Sequence, residues 1–120
     1  MPDLDGTTDK HFALVARRLG DAYLIRVRGE VDVATAPQVR RALGSAITVR
    51  TNRVVLDLCA VRFIDSTGLQ ALLNAQRRLS ELHRRFVVVC PSGPVRRAFE
   101  IANLMGTFSV KPSLEAALAT

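Results

Sequence analysis

Val54-Val55-Leu56-Asp57-Leu58 is an apolar run of strand length, and Phe63-Ile64-Asp65-Ser66-Thr67-Gly68-Leu69 follows it, with a short loop expected over 59–65. Leucines at 69, 72, 73, 79 and 82 then recur at helical spacing, so a helix is expected from about Ser66 to Arg84. A continuous apolar strand feeding an amphipathic helix is the repeating half-unit of a parallel sheet covered on its faces by helices. The handover places Ser66 and Thr67 at a helix N-terminus. Unpaired N–H groups and partial positive charge there favour an added phosphate. A serine in that place either caps the helix or serves as a charge switch.

Outward from this stretch the same alternation recurs. Residues 11–29 read as a hairpin, with Phe12–Ala16 and Tyr23–Gly29 on either side of the turn Arg18-Leu19-Gly20-Asp21. Glu30–Ala34 is an acidic loop. Thr35 and Pro37 then open a helix with Val39, Ala42, Leu43, Ala46 and Ile47 inward. Phe86–Cys90 is a further buried strand. Ser92 and Pro94 start a third helix, with Val95, Ala98, Phe99 and Ala102 inward and Gly106 ending it. A short strand over 107–110 leads to a last helix capped by Ser113. The order β-β-α-β-α-β-α-β-α predicts an α/β fold: a mixed, mostly parallel β-sheet with packed α-helices, joined by right-handed crossovers.

At 120 residues the chain is long enough for one domain, expected over 11–120 behind an acidic, flexible N-terminal tail over 1–10. No apolar run approaches the ~20 residues of a membrane span, and the tail is the opposite of a secretory signal, so a cytoplasmic protein is expected. The net charge of +6 comes from arginine pairs at 17/18, 40/41, 77/78, 84/85 and 96/97, scattered over several elements. Arg77, Arg78, Arg84 and Arg85 read as a solvated face shared with Glu81. With Tyr23 the only tyrosine and no tryptophan, nucleic acid is not the expected partner; an acidic protein surface is. Cys59 and Cys90 each follow an apolar strand and form a candidate redox pair. His11 and His83 have no metal-ligand spacing to each other or to the cysteines, and no metal or cofactor is expected.

Three stretches together resemble the STAS-domain anti-sigma factor antagonists over roughly residues 12–118. Gly29-Glu30-Val31-Asp32 is similar to a stretch after that family's second strand, and Pro94-Val95-Arg96-Arg97-Ala98-Phe99 to the opening of its third helix. The run from Val54 to Leu69 is similar to its strand, loop and phosphorylation motif. The resemblance implies a STAS fold, Ser66 as the phosphoacceptor, and a partner surface formed by Asp32, Asp65, Thr67 and Gly68. Gly68 would leave room for close approach of another backbone. The partners implied are an anti-sigma factor with serine-kinase activity, which phosphorylates Ser66, and a phosphatase that reverses the modification. Asp57 departs from a plain apolar strand, and the two cysteines are not part of the general family pattern.

No general base stands beside Ser66 in sequence, the motif is not a Gly-x-Ser-x-Gly elbow, and there is no glycine-rich phosphate loop, so the chain does not read as an enzyme. The reading is a bacterial anti-sigma factor antagonist, active when unphosphorylated. Its alternatives are a STAS scaffold or regulatory subunit of a stress-signalling complex or lipid-transport ATPase, and a redox-sensing variant using Cys59 and Cys90.

Overall fold

A computed structural model of the chain describes residues 12–90 and 93–119. The expected N-terminal tail, His11 and Ser92 lie outside the described residues. The elements follow the expected order: β1 (Ala13–Leu19), β2 (Ala22–Val31), α1 (Ala36–Thr48), β3 (Arg53–Ile64), α2 (Ser66–Glu81), β4 (Arg85–Val89), α3 (Pro94–Ile101), β5 (Ser109–Lys111) and α4 (Leu114–Ala119). The five strands lie in sequence order in one sheet. β1 runs antiparallel to β2, and β2 through β5 are mutually parallel.

Alternation along the strands sorts the apolar side chains onto two faces. Ile25, Val27, Val54, Leu56, Leu58, Phe86 and Val88 form the main core with the inward stripes of α1, α2 and α3. On the other face, Ala22, Leu24, Val55, Val87 and Val89 meet Ala117 of the short α4. Three helices thus cover one face, and α4, packed on β3, β4 and β5, covers part of the other.

The largest departure from the sequence reading is β3. It does not stop at Leu58 but continues to Ile64, so the loop expected over 59–65 is mostly strand. Its register against β2 shifts twice, between Arg26 and Arg28 and between Gly29 and Glu30, with one extra β3 residue accommodated each time. Two exposed residues then separate consecutive buried ones: Leu58, Val61 and Ile64 are buried, while Cys59, Ala60, Arg62 and Phe63 are exposed. Bulges convert the period of two into an apparent period of three, which no strand template matches. Gly29, at φ 101°, provides the left-handed backbone where the second shift begins.

The helix ends differ as well. α2 closes at Glu81, and His83 turns the chain with φ 57°, so Leu82 leaves the buried stripe and is 52% exposed. α3 closes at Ile101 through Asn103 at φ 61°, well before Gly106, and Ala102 is exposed rather than inward. Arg84 and Arg85 do not continue the α2 face with Glu81. The Arg84 guanidinium instead donates to the carbonyls of Ala46 (2.9 Å), Ile47 (2.8 Å), Val49 (2.8 Å) and Thr51 (2.9 Å). It thereby satisfies acceptors that the C-terminus of α1 leaves open.

Candidate functional site

The C-terminal ends of β2 and β3 lie side by side. Val31 pairs with Ile64, and the Asp65 N–H donates to the Val31 carbonyl at 3.0 Å. The β2–α1 and β3–α2 connections therefore leave the sheet together, which juxtaposes the segments carrying Asp32 and Asp65–Ser66. Loops at this edge of a parallel sheet are the usual place for function.

In the first connection the Asp32 carboxylate folds back on its own loop. Its Oδ1 accepts from the N–H groups of Ala34 (3.0 Å) and Thr35 (3.1 Å), and its carbonyl accepts from Ala36 N–H at 2.7 Å. The buried Thr35 hydroxyl accepts from Asp32 N–H at 2.9 Å and donates to the Glu30 carbonyl at 2.7 Å. Thr35 stands at the N-cap position of α1 without making a side-chain cap bond; its hydroxyl closes the loop instead.

In the second connection the cap is Asp65. One oxygen, Oδ1, accepts from the N–H groups of Thr67 (2.9 Å) and Gly68 (3.1 Å) and from Thr67 Oγ1. Burial alone would raise the Asp65 carboxyl, but the hydrogen bonds from Thr67 Oγ1, Gly68 N–H and Thr67 N–H outweigh it and hold the group below the usual carboxylate range. Ser66 is thus the first helical residue, not the cap. It is exposed, and its hydroxyl has no hydrogen-bond partner among the described residues. The Thr67 hydroxyl is half-buried and engaged by Asp65.

Gly68 is buried in the first turn of α2. A Cβ there would come within 2.7 Å of Ile64 Cγ1 and 2.7 Å of Val31 Cγ1. The glycine makes room for two side chains of the adjoining strand ends, not for a second backbone as the sequence reading had it. Its contribution is to seat α2, and with it Ser66, against the sheet.

Two apolar side chains that the sequence reading did not single out flank these connections: Val33, 73% exposed, and Phe63, 47% exposed. Beside them Arg62 and Glu30 form a surface ion pair at 4.0 Å. Phe63 was hidden from pattern reading because the second bulge turns it outward.

The two cysteines are free and lie on opposite faces of the sheet. Cys59 is exposed on the sheet face away from α1 and α2, whereas Cys90 is buried in the main core beneath the helices. Desolvation pushes the Cys59 thiol up to about 11, aided by its hydrogen bond to Asp57 and that carboxylate's charge; burial also raises Cys90. Asp57, 3% exposed, now has a local role. Its Oδ2 pairs with Arg26 Nε at 3.2 Å, and its Oδ1 accepts from Cys59 N–H at 2.9 Å, pinning the first bulge. Among the described residues no three His, Cys, Asp or Glu side chains cluster as metal ligands, and no helix is long and apolar enough to cross a membrane.

A family model for the STAS domain matches residues 13–117. An anti-sigma-B factor antagonist of Listeria monocytogenes is 35% identical over 98 residues, covering 81% of this chain and 85% of that protein. The anti-sigma-F factor antagonist RsfB of Mycobacterium tuberculosis is 30% identical over 95 residues, covering 79% and 77%. Among solved structures, an anti-sigma factor antagonist from Mycobacterium paratuberculosis superposes with a TM-score of 0.85 at 29% identity, covering 94% of this chain and 95% of the other.

Proposed function

Because the chain belongs to the STAS domain family, we propose that it is an anti-sigma factor antagonist switched by phosphorylation of Ser66. Unphosphorylated, it binds a cognate anti-sigma factor with serine-kinase activity and so frees a sigma factor. The kinase transfers the γ-phosphoryl group of ATP to Ser66 Oγ, whose proton is released, leaving phosphoserine and ADP. The modified protein dissociates, and hydrolysis by a phosphatase restores the binding form.

One observation carries this reading: Asp65 caps α2, so the exposed Ser66 hydroxyl on the same first turn is left with no structural task. The neighbouring Thr67 hydroxyl is held by Asp65, which favours Ser66 over Thr67 as the acceptor. Asp32 and Asp65 supply charge at the partner surface while holding their loops, and Val33 and Phe63 add apolar area there.

The magnitudes suit a switch. A phosphate adds about −1.5 to −2 charge next to the Asp65 carboxylate. Burying that charge unpaired in an interface costs several kcal/mol, and at ~1.4 kcal/mol per tenfold this amounts to about two to four decades of affinity. The α2 dipole returns only ~0.3–2 kcal/mol, so it tolerates the phosphate without restoring binding.

The test is incubation with candidate anti-sigma kinases and ATP, followed by phosphosite mapping on the wild type and Ser66→Ala. The expected result is a single phosphate on Ser66 and none on the variant, which still binds its partner. Incorporation into Ser66→Ala at wild-type stoichiometry would place the acceptor elsewhere and overturn the assignment.

A further inference from the structure

The sheet face opposite α1 and α2 is only partly covered. α4 packs on β3, β4 and β5, and on the β1–β2 side of that face a cavity of about 460 Å³ lies open. Its floor consists of two rungs of the sheet. In one, Val15 of β1 lies opposite Arg26 of β2, which lies opposite Asp57 of β3. In the next, Ala13 lies opposite Arg28, which lies opposite Ala60. Arg28 is therefore flanked by the two smallest side chains in the groove, and the space beside it is what they leave empty. Arg17 completes the lining two residues beyond Val15.

The charges in this groove do not balance. Among the described residues Asp57 is its only carboxylate, and both oxygens are engaged, one by Arg26 Nε and one by Cys59 N–H. Neither Arg17 nor Arg28 makes an ion pair among the described residues. The Cys59 thiol, pushed up to about 11, adds no negative charge at neutral pH. Among the described residues, three guanidinium groups against one carboxylate leave an excess of two positive charges. The apolar floor beneath them includes Val15, 60% exposed.

We propose that this groove binds a small organic anion, with its carboxylate or phosphate head on Arg28 and an apolar body over Ala13, Val15 and Ala60. The guanidinium fork matches such a head group in a two-point hydrogen bond. A concave, mostly apolar pocket of ~300–1,000 Å³ with a few convergent polar groups is the size that takes a small molecule. Arg26, held by Asp57 on the same face two residues from Arg28, presents a second, pre-oriented cation to the head. The groove lies on the sheet face, whereas Ser66 lies at the strand ends, so this ligand and a protein partner at Ser66 occupy different surfaces.

The probe is octanoate, titrated into ¹⁵N-labelled full-length protein and followed by amide chemical shifts. Saturable shifts confined to 13–17, 26–28 and 57–60 are expected, with n-octylamine and inorganic phosphate each binding at least about tenfold more weakly, since each supplies only half of the match. Arg28→Gln removes the head contact and Ala60→Leu fills the space without changing charge. Both are at exposed positions, the spectra report their folding, and each weakens octanoate by about tenfold or more. Shifts dispersed over other surfaces, equal affinity for octylamine, or full binding by Arg28→Gln would each overturn the proposal. Phosphate alone binding as tightly as octanoate would overturn the apolar half of the site.

Discussion

Replacing Asp65 by alanine separates the cap from the proposed switch. Three donors converge on Asp65 Oδ1: Thr67 N–H at 2.9 Å, Gly68 N–H at 3.1 Å and the Thr67 hydroxyl. In Asp65→Ala these donors lose their acceptor, and an N-cap of this kind is worth about 0.5–2 kcal/mol. With a half-buried cap the upper part of that range applies, so a loss of about 1–2 kcal/mol at pH 7 is expected, or roughly 4–8 °C in Tm for a domain of this size. Asp65→Asn keeps an oxygen acceptor, and asparagine caps about as well as aspartate, so it should lose only a few tenths of a kcal/mol. The dependence on pH has a definite sign. Hydrogen bonds hold the folded-state carboxyl below its usual value, so its stabilising contribution is complete above the unfolded value near 3.9. It is lost as the pH falls through the lower folded value. The gap between wild type and Asp65→Ala should therefore narrow below about pH 4, while Asp65→Asn adds no such dependence at this position. Thermal melts followed by circular dichroism at pH 7 and near pH 3 read both effects. An Asp65→Ala variant within about 0.3 kcal/mol of wild type at pH 7 would refute the capping argument.

Gly68→Ala places a methyl group 2.7 Å from both Ile64 Cγ1 and Val31 Cγ1. With two contacts this short the upper part of the overpacking range applies, about 2–3 kcal/mol, which outweighs the ~1 kcal/mol of helix propensity gained, and urea unfolding should show a net loss of about 1–2 kcal/mol. A variant as stable as wild type would contradict the packing. For the thiols, mild oxidation followed by alkylation and intact-mass analysis should return two alkylated cysteines, because Cys59 and Cys90 lie on opposite sides of the sheet and both thiols are raised. A product lighter by two hydrogens would restore the redox pair.

The order of elements was legible because it depends on apolar periodicity, which survives local irregularity. Val54–Leu58, Phe86–Val89 and the inward stripe of α1 read the same in sequence and in structure. What periodicity missed depends on backbone events with no apolar signature. The two bulges of β3 exposed Phe63 and Cys59 and hid the strand's second half. His83 and Asn103 adopt left-handed conformations where the sequence offered Arg84 and Gly106 as the ends of α2 and α3. Arg84 looked like a helix-face cation and is a plug for the carbonyls of α1, because a guanidinium's partners are set by tertiary proximity and not by spacing. At the candidate site, Ser66, Asp65 and Asp32 were singled out from hydroxyl placement, the motif and the family resemblance, but the division of labour among them was not legible. Asp, Ser and Thr are all good caps, and only coordinates distinguish which oxygen receives the N–H groups.

That division has a consequence for how a phosphate on Ser66 would be read. Had Ser66 been the cap, modifying it would have traded one acceptor for another on the same N–H groups and coupled phosphorylation to the stability of α2. With Asp65 as the cap, the N–H groups of Thr67 and Gly68 are already satisfied, and the exposed Ser66 oxygen can gain a phosphate without breaking a bond among the described residues. The dipole of α2 even favours the charge by ~0.3–2 kcal/mol. Gly68, fixed between Val31 and Ile64, keeps the first turn in place. A phosphate on Ser66 would therefore change the charge of the surface and leave the fold as it is. In the proposed switch its effect would fall on whatever approaches Asp32, Asp65 and the exposed Val33 and Phe63, so the signal would be carried by interface electrostatics and not by a conformational change within the domain.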